Sequence, residues 1–132
     1  MKQIDVLIIV DTLGAVTSGN LGDNTYMVDT NKYFGSGNEG QDELKTACEN
    51  GQIINWRITS ISPSNDVEVT GFTGQMVSSK ICLPEKQGIG EDVYWAAEVQ
   101  TQGQTGTWQY SVNVTIDGKP MTFDPFLIVK SA

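Results

Sequence analysis

Alternating apolar and polar side chains predict a strand around residue 112 that is buried on one face. Its apolar positions are Trp108, Tyr110, Val112, Val114 and Ile116. A period of two is typical of such a strand. The pair Asp117-Gly118 follows it and is preferred in the two-residue turn of a hairpin. Counting outward from this turn gives the pairs Ile116–Lys119, Val114–Met121 and Val112–Phe123. The apolar sides of the two strands therefore coincide.

Shorter patterns predict strands on both sides of this hairpin. Asp124-Pro125 ends the hairpin because proline cannot donate to a strand ladder, which leaves 126–129 as a short final strand. A turn at 103–106 predicts a meander that joins a strand at 93–100 to the hairpin. The other predicted strands are 2–10, 26–29 (with 32–34 as a candidate continuation), 53–61, 66–77 with a bulge or bend at its glycines, and 79–83.

These segments number about seven to nine, which predicts an all-β fold. We expect an antiparallel β-sandwich or jelly-roll-like architecture with at most one short helix, forming a single domain over residues 1–132. The helix is predicted at 41–49, because Leu44 and Cys48 have i, i+4 spacing. Residues 11–43, which we call the rim, are rich in Gly, Asn and Asp and show little period.

Composition narrows the classes of function. The 132 residues include 16 Asp+Glu, 8 Lys+Arg and no histidine, for a net charge of −8. The absence of histidine excludes Ser-His-Asp catalysis and His-ligated zinc. An acidic chain lacks the basic patch that nucleic acid requires. We therefore expect a protein that is not an enzyme and binds no nucleic acid.

The N-terminal apolar run at 6–10 is too short for a signal peptide or a membrane span. We therefore expect a cytoplasmic protein, with release from the cell left open. Cys48 and Cys82 have no CxxC spacing, and a disulfide-framed domain would usually hold more cysteines, so we expect reduced, buried thiols. Trp56, Trp95 and Trp108 lie in strand-like segments and are expected in the core.

The oxygen-rich side chains of the rim form the candidate site. Ca²⁺ takes six to eight oxygen ligands, and the candidate calcium ligands are Asp11, Asp23 and Asp29. A tyrosine beside Asn and Asp offers an aromatic face and polar groups for a sugar ring. The candidate ligand-binding residues are Asp23, Asn24, Tyr26, Asp29, Asn31, Tyr33, Asn38 and Asp42. The alternative is that these residues only form turns by bonding their own backbone.

Four stretches of sequence resemble a known family. They are IDVLIIVDT at 4–12, SGNLGDNTYMVDTNKYFGSGNEGQDEL at 18–44, NWRITSISPSNDVEVTGFTGQMV at 55–77 and MTFDPFLIVK at 121–130. Together they resemble the AidA/PixA family, the inclusion body proteins of Gram-negative bacteria. The resemblance implies a small, β-rich, non-enzymatic protein. In this family some members are linked to quorum sensing and host association, and others accumulate as cytoplasmic inclusions. PixA-type members are rich in methionine, so this chain, with four, looks closer to the AidA branch.

Two hypotheses for the function lead, and a third is a small hydrolase that uses a pair of carboxylates among Asp23, Asp29, Asp42 and Glu43. The first is a glycan-binding, lectin-like module that uses the rim, with Ca²⁺ as the candidate metal and no other cofactor. The second is a self-associating structural or storage protein that forms cytoplasmic inclusions, since an open sandwich exposes edge strands. In either case we expect a homodimer or a higher homo-oligomer, because two-fold symmetry is the commonest arrangement.

Overall fold

The structure is a computed structural model that describes residues 2–38, 40–62 and 65–131. Its strands are β1 Ile4–Val10, β2 Thr25–Asp29, β3 Lys45–Cys48, β4 Ile53–Ser60, β5 Val67–Thr73, β6 Glu85–Gln87, β7 Tyr94–Glu98, β8 Gly106–Gln109, β9 Ser111–Ile116, β10 Lys119–Phe123 and β11 Phe126–Val129. The helices are α1 Thr12–Ser18 and the single turn α2 Gln75–Ser78. Short 3-10 turns occupy Gly22–Asn24, Lys32–Phe34 and Gly90–Asp92.

The strands of the described residues form three sheets, which confirms the expected all-β class. Their orders are β2-β1-β4-β7-β6, β10-β9-β5 and β3-β11-β8. Most neighbours are antiparallel, but β1 pairs with β4 and β3 pairs with β11 in parallel. Parallel neighbours need long connections. Alternation along one strand carries no information about such distant partners, so the sequence did not indicate these pairs.

The hairpin predicted at Asp117-Gly118 is confirmed with its register. Ile116 lies opposite Lys119, and Val112 lies opposite Phe123. Both turn residues have positive φ, 49° for Asp117 and 84° for Gly118, as a type I′ turn requires. The irregularity expected in the 66–77 stretch is also present, as a shift of register between Val69 and Gly71 where β5 pairs with β9.

The helix predicted at 41–49 is wrong, because Lys45–Cys48 is strand β3, paired with β11. The i, i+4 pair Leu44 and Cys48 is buried, but pairing with a distant strand decides the local structure. The candidate continuation of β2 at 32–34 is a 3-10 turn instead. The longer helix is α1, where the Asp11 carboxylate accepts a hydrogen bond from Gly14 N at 3.0 Å. It ends at Gly19, whose φ is 73°.

Two further strand predictions are wrong in detail. Residues 79–83 form the turn after α2, and the short strand of this region is β6 instead. The expected meander is absent because β7 pairs with β4 and β6, whereas β8 pairs with β11. The long strand predicted through Tyr110 is also divided there, with β8 and β9 in different sheets. Tyr110 itself is fully buried at this corner.

The core lies between the inner face of the five-stranded sheet and the β10-β9-β5 sheet, and buried residues of β3 and β11 from the third sheet extend it. Its aromatic centre consists of Trp56, Phe72, Trp95 and Tyr110, with ring centroids 5.0 to 6.1 Å apart. Trp56 Nε1 donates to Tyr110 Oη at 3.2 Å. The core prediction is confirmed most fully for Trp56, while Trp95 and Trp108 are half-buried and pack against the core.

Candidate functional site

The first group of rim residues lies between α1 and β2. Asn20 Nδ2 donates to Asp23 Oδ2 at 3.0 Å, and Asp23 N donates to Asn20 Oδ1 at 3.0 Å. Asn24 Nδ2 donates to the Asn20 carbonyl at 2.8 Å. Asp11 N donates to the Asn24 carbonyl at 2.9 Å, which ties this loop to the start of α1. The loop therefore uses many of its polar atoms to hold its own turns.

A second group lies at the other end of β2. Asp29 Oδ1 accepts from Asn31 N at 2.8 Å, and Asp29 Oδ2 accepts from the Thr46 hydroxyl at 2.9 Å. Asn31 is buried, and its Nδ2 donates to the Ala47 carbonyl at 2.5 Å. β2 runs from Thr25 to Asp29, so this group is about 13 Å along the strand from the first.

The structure does not bring the three candidate calcium ligands together, because β2 separates Asp29 from Asp11 and Asp23. No group of three or more acidic or thiol side chains is placed to hold a metal ion among the described residues. Asp42 approaches the first group, with its Oδ2 lying over Gly22. Burial raises the pKa of Asp42, and the charges of Glu43, Asp23 and Asp124 raise it further. The assignment of calcium ligands remains a prediction.

The remaining candidate residues of the rim are dispersed. Tyr26 is exposed on the outer face of the five-stranded sheet, opposite Ile9 in the strand register. Asn38 has a positive φ of 58° and donates through Nδ2 to the Glu43 carbonyl at 3.4 Å. The side chain of Tyr33 lies outside the part of the chain that the structure describes. Glycan binding by these residues likewise remains a prediction.

A cavity of about 610 Å³ lies where the two sheets part, and we call it the inter-sheet pocket. Its inner wall is formed by Trp56, Ile58, Val67, Val69, Val93 and Trp95, and the exposed residues Asp66, Glu68, Lys86 and Gly90 form its mouth. This volume is within the range of small-molecule sites in proteins. Its apolar wall and charged mouth offer two kinds of contact to a ligand.

One row of side chains across the five-stranded sheet forms much of this wall. The strand registers place Val6 beside Trp56, Trp56 beside Trp95, and Trp95 beside Lys86. The row thus runs from the core to the open end of the sheet. Trp95 Nε1 is buried and has no hydrogen-bond partner among the described residues. An unpaired buried donor costs about 1–3 kcal/mol, so this nitrogen is a feature that packing alone does not explain.

An ion pair crosses the mouth of the inter-sheet pocket. Lys86 Nζ lies 3.4 Å from Glu68 Oε1, and their side chains are 48% and 62% exposed. Lys86 is on β6, at one edge of the five-stranded sheet, and Glu68 is on β5, at the edge of the β10-β9-β5 sheet. Exposed pairs of this kind are worth about 0–1 kcal/mol. The ion pair therefore joins the two sheet edges only weakly.

The inter-sheet pocket was not predicted from the sequence. Its tryptophans were assigned to the core. Alternation of apolar and polar residues shows that a side chain points inward, but it does not show whether that side chain packs against another sheet or lines a cavity. Glu68 and Lys86 are distant in sequence, and nothing in their surroundings marks them as neighbours.

The prediction of reduced, buried thiols is confirmed, since Cys48 and Cys82 are free and buried. Burial raises the pKa of both to about 12, which leaves them protonated and unreactive at neutral pH.

This all-β architecture is also found in a solved bacterial protein. A solved structure with the same fold is the inclusion body protein (PixA) from Burkholderia cenocepacia J2315, with a TM-score of 0.71. The alignment covers 99% of this chain and 95% of that one, at 13% sequence identity. This likeness confirms, at the level of the fold, the resemblance expected from the sequence.

The chain belongs to the family described as Domain of unknown function (DUF8788), whose model matches residues 2–122. No curated protein matches the sequence significantly. None of the helices in the described ranges is long and apolar enough to cross a membrane.

Proposed function

We propose that this protein is a non-catalytic structural or storage protein whose main property is association with its own copies. The fold that it shares with a protein described as an inclusion body protein supports this proposal. The observation that carries it is an apolar patch on the outer face of the five-stranded sheet. We place the proposed assembly in the cytoplasm, as the sequence led us to expect.

The apolar patch consists of Leu7, Ile9, Tyr26 and Val28. Leu7 lies opposite Val28, and Ile9 lies opposite Tyr26, so the four side chains form two adjacent cross-strand pairs. Leu7, Tyr26 and Val28 are 38%, 43% and 39% exposed. Adjacent apolar side chains on an open sheet face mark a surface whose burial by a partner is favourable.

The charges beside the apolar patch favour a second copy as that partner. Asp5 and Arg57 border the patch and form an ion pair of 3.8 Å, so the charges of these two side chains offset each other. The chain as a whole carries −8, and most other approaches would bring like charges together. A two-fold arrangement of two such faces buries apolar area on both copies.

Features at two sheet edges argue for association through the face. Lys119 and Pro120 lie on the edge strand β10, and proline removes a donor from that edge. β6 is only three residues long and contains Glu85 and Lys86. Short, charged edges pair poorly with another strand.

Sedimentation velocity over a concentration series tests this proposal. The parent protein is expected to shift from monomer to larger species, more readily as salt screens its negative charge. The double variant Leu7→Ser/Val28→Ser is expected to stay monomeric at the same concentrations. Ile61→Ser is the matched control, because Ile61 is apolar and 61% exposed but lies outside the patch. A parent protein that remains monomeric at every concentration and salt would overturn the proposal.

Glycan binding is the second candidate function, and its support is weaker. The rim amides of Asn20, Asn24 and Asn31 already donate within the protein. The exposed ring of Tyr26 is the one observation that favours it. A glycan array run with and without Ca²⁺ tests this function, and binding that Tyr26→Ala removes would support it. We find no argument in the fold or the pocket for a role in quorum sensing or host association.

A further inference from the structure

We propose that the inter-sheet pocket binds an uncharged, planar heteroaromatic compound that carries a hydrogen-bond acceptor. The inference rests on the pocket alone and is independent of self-association through the outer face. It follows from the shape of the pocket, from its one unpaired polar group and from the charges at its mouth.

The shape of the pocket favours a flat ring. The space is bounded on one side by the indole of Trp95 and on the other by Val67 and Val69, which project from the opposing sheet. In the proposed complex a planar ring lies against the indole and turns its other face to the valines. Aromatic rings pack well against an indole in offset or tilted arrangements. Ile58 and Val93 extend the apolar wall around the same space.

The single unpaired polar group of the wall favours one acceptor. Trp95 Nε1 can only donate, and it is buried without a partner among the described residues. In the proposed complex the indole turns so that this N–H meets a ligand that lies beside it in the pocket. A ring nitrogen or carbonyl oxygen would then pair a group that is otherwise unsatisfied. A sugar is a poorer match, because the apolar wall would leave its many hydroxyl groups without partners.

The charges at the mouth disfavour an anionic ligand, and the Trp95 N–H, which can only donate, requires an acceptor that is not protonated. Asp66 and Glu68 are acidic, and the one cationic side chain there, Lys86, already pairs with Glu68. An anionic ligand would meet Asp66 and the overall charge of −8. The half-exposed ion pair is weak enough to open as a ring passes and to re-form behind it.

Titration with quinoxaline, followed by NMR of the indole N–H groups, tests the proposal. Quinoxaline is planar, uncharged and has two ring nitrogens that accept hydrogen bonds. We expect it to shift the Trp95 indole N–H resonance saturably and leave that of Trp108 in place. Trp95→Phe keeps a ring but removes the donor, and is expected to weaken binding about five- to tenfold. In that variant the binding is followed by the Trp56 resonance and by saturation transfer to the ligand.

Matched controls decide the outcome. Trp108→Phe changes a tryptophan outside the pocket and is expected to leave the affinity unchanged. Naphthalene has the same shape as quinoxaline without an acceptor and is expected to bind more weakly. The proposal is overturned if quinoxaline gives no saturable shift. It is also overturned if the Trp95→Phe variant binds quinoxaline as tightly as the parent protein does, or if the parent protein binds naphthalene as tightly as quinoxaline. It is also overturned if methyl α-D-glucopyranoside shifts the Trp95 resonance and quinoxaline does not.

Discussion

The rim and the inter-sheet pocket differ in how their polar groups are used. In the rim, Asn20, Asp23 and Asn24 exchange hydrogen bonds within one loop. In the pocket, Trp95 Nε1 is buried without a partner in the described part of the chain, and open space lies beside its ring. The rim contains most of the residue types associated with binding, yet the pocket has the geometry of a site. A cluster of Asn and Asp therefore first indicates a chain that turns sharply.

The largest expected difference between the two regions is in stability. Trp56 forms the floor of the pocket and is 1% exposed, so Trp56→Ala should lower the free energy of unfolding by about 3–5 kcal/mol. Tyr26→Ala removes an exposed rim aromatic and should change it by less than about 0.5 kcal/mol. Urea unfolding followed by circular dichroism measures both. Equal losses would contradict the comparison, because they would make Tyr26 part of the core.

A smaller effect is expected where the rim caps α1. Asp11→Ala removes the acceptor for Gly14 N and should destabilise the protein by about 1 kcal/mol. Asp11→Asn keeps a side-chain oxygen and should retain most of the stability. Thermal denaturation of the two variants provides the measurement. If Asp11→Asn lost as much as Asp11→Ala, the charge rather than the cap would be the important feature.

Two carboxyl groups should give smaller, opposite responses to pH. Burial raises the pKa of Asp42, so its charged form opposes folding above about pH 4, and Asp42→Asn should raise the urea midpoint at pH 7. Hydrogen bonds from Asp66 N and from the Asn65 amide lower the pKa of Asp117. Its charged form therefore supports folding above that pH, and Asp117→Asn should lower the midpoint at pH 7.

Asparagine has nearly the same shape as aspartate without its charge, which suits both positions. It also tolerates the positive φ of residue 117. The Asp42 difference should shrink as the pH falls through about 4. The Asp117 difference should disappear only at a lower pH, because its folded-state pKa lies below the usual value. If both variants shifted the urea midpoint in the same direction at pH 7, the opposite pKa shifts assigned to Asp42 and Asp117 would be contradicted.

The smallest expected effect is that of calcium on the rim. Asp29 lies about 13 Å along β2 from the first group of acids, so we expect any binding to be weaker than about 10 mM. At 1 mM Ca²⁺ the stabilisation would then be below about 0.1 kcal/mol. Differential scanning calorimetry with Ca²⁺ and with Mg²⁺ measures it. A rise in Tm of several degrees with Ca²⁺ alone would restore the rim as a metal site.

The sequence predicted best where a turn and the strands beside it carry mutually consistent signals. At Asp117-Gly118 the turn residues set the register, and the apolar positions agree with it. The prediction of a helix at 41–49 was wrong because β3 pairs with β11, which lies far along the chain and leaves no signal in the local sequence. The meander failed because a turn does not specify which sheet the next strand joins. The pocket was missed because it arises where two sheets part, and no single segment describes that space.

The parallel pairing of β3 with β11 also determines when this protein can fold. β11 is the middle strand of its sheet, and Cys48 in β3 contacts Ile128 in β11 across 80 positions of sequence. At about 5–20 residues per second, a ribosome makes β11 roughly 4–16 s after β3. Until then β3 and β8 lack the strand that joins them. Folding of this sheet therefore waits until β11 has been made, and nascent chains are exposed to their neighbours in the meantime.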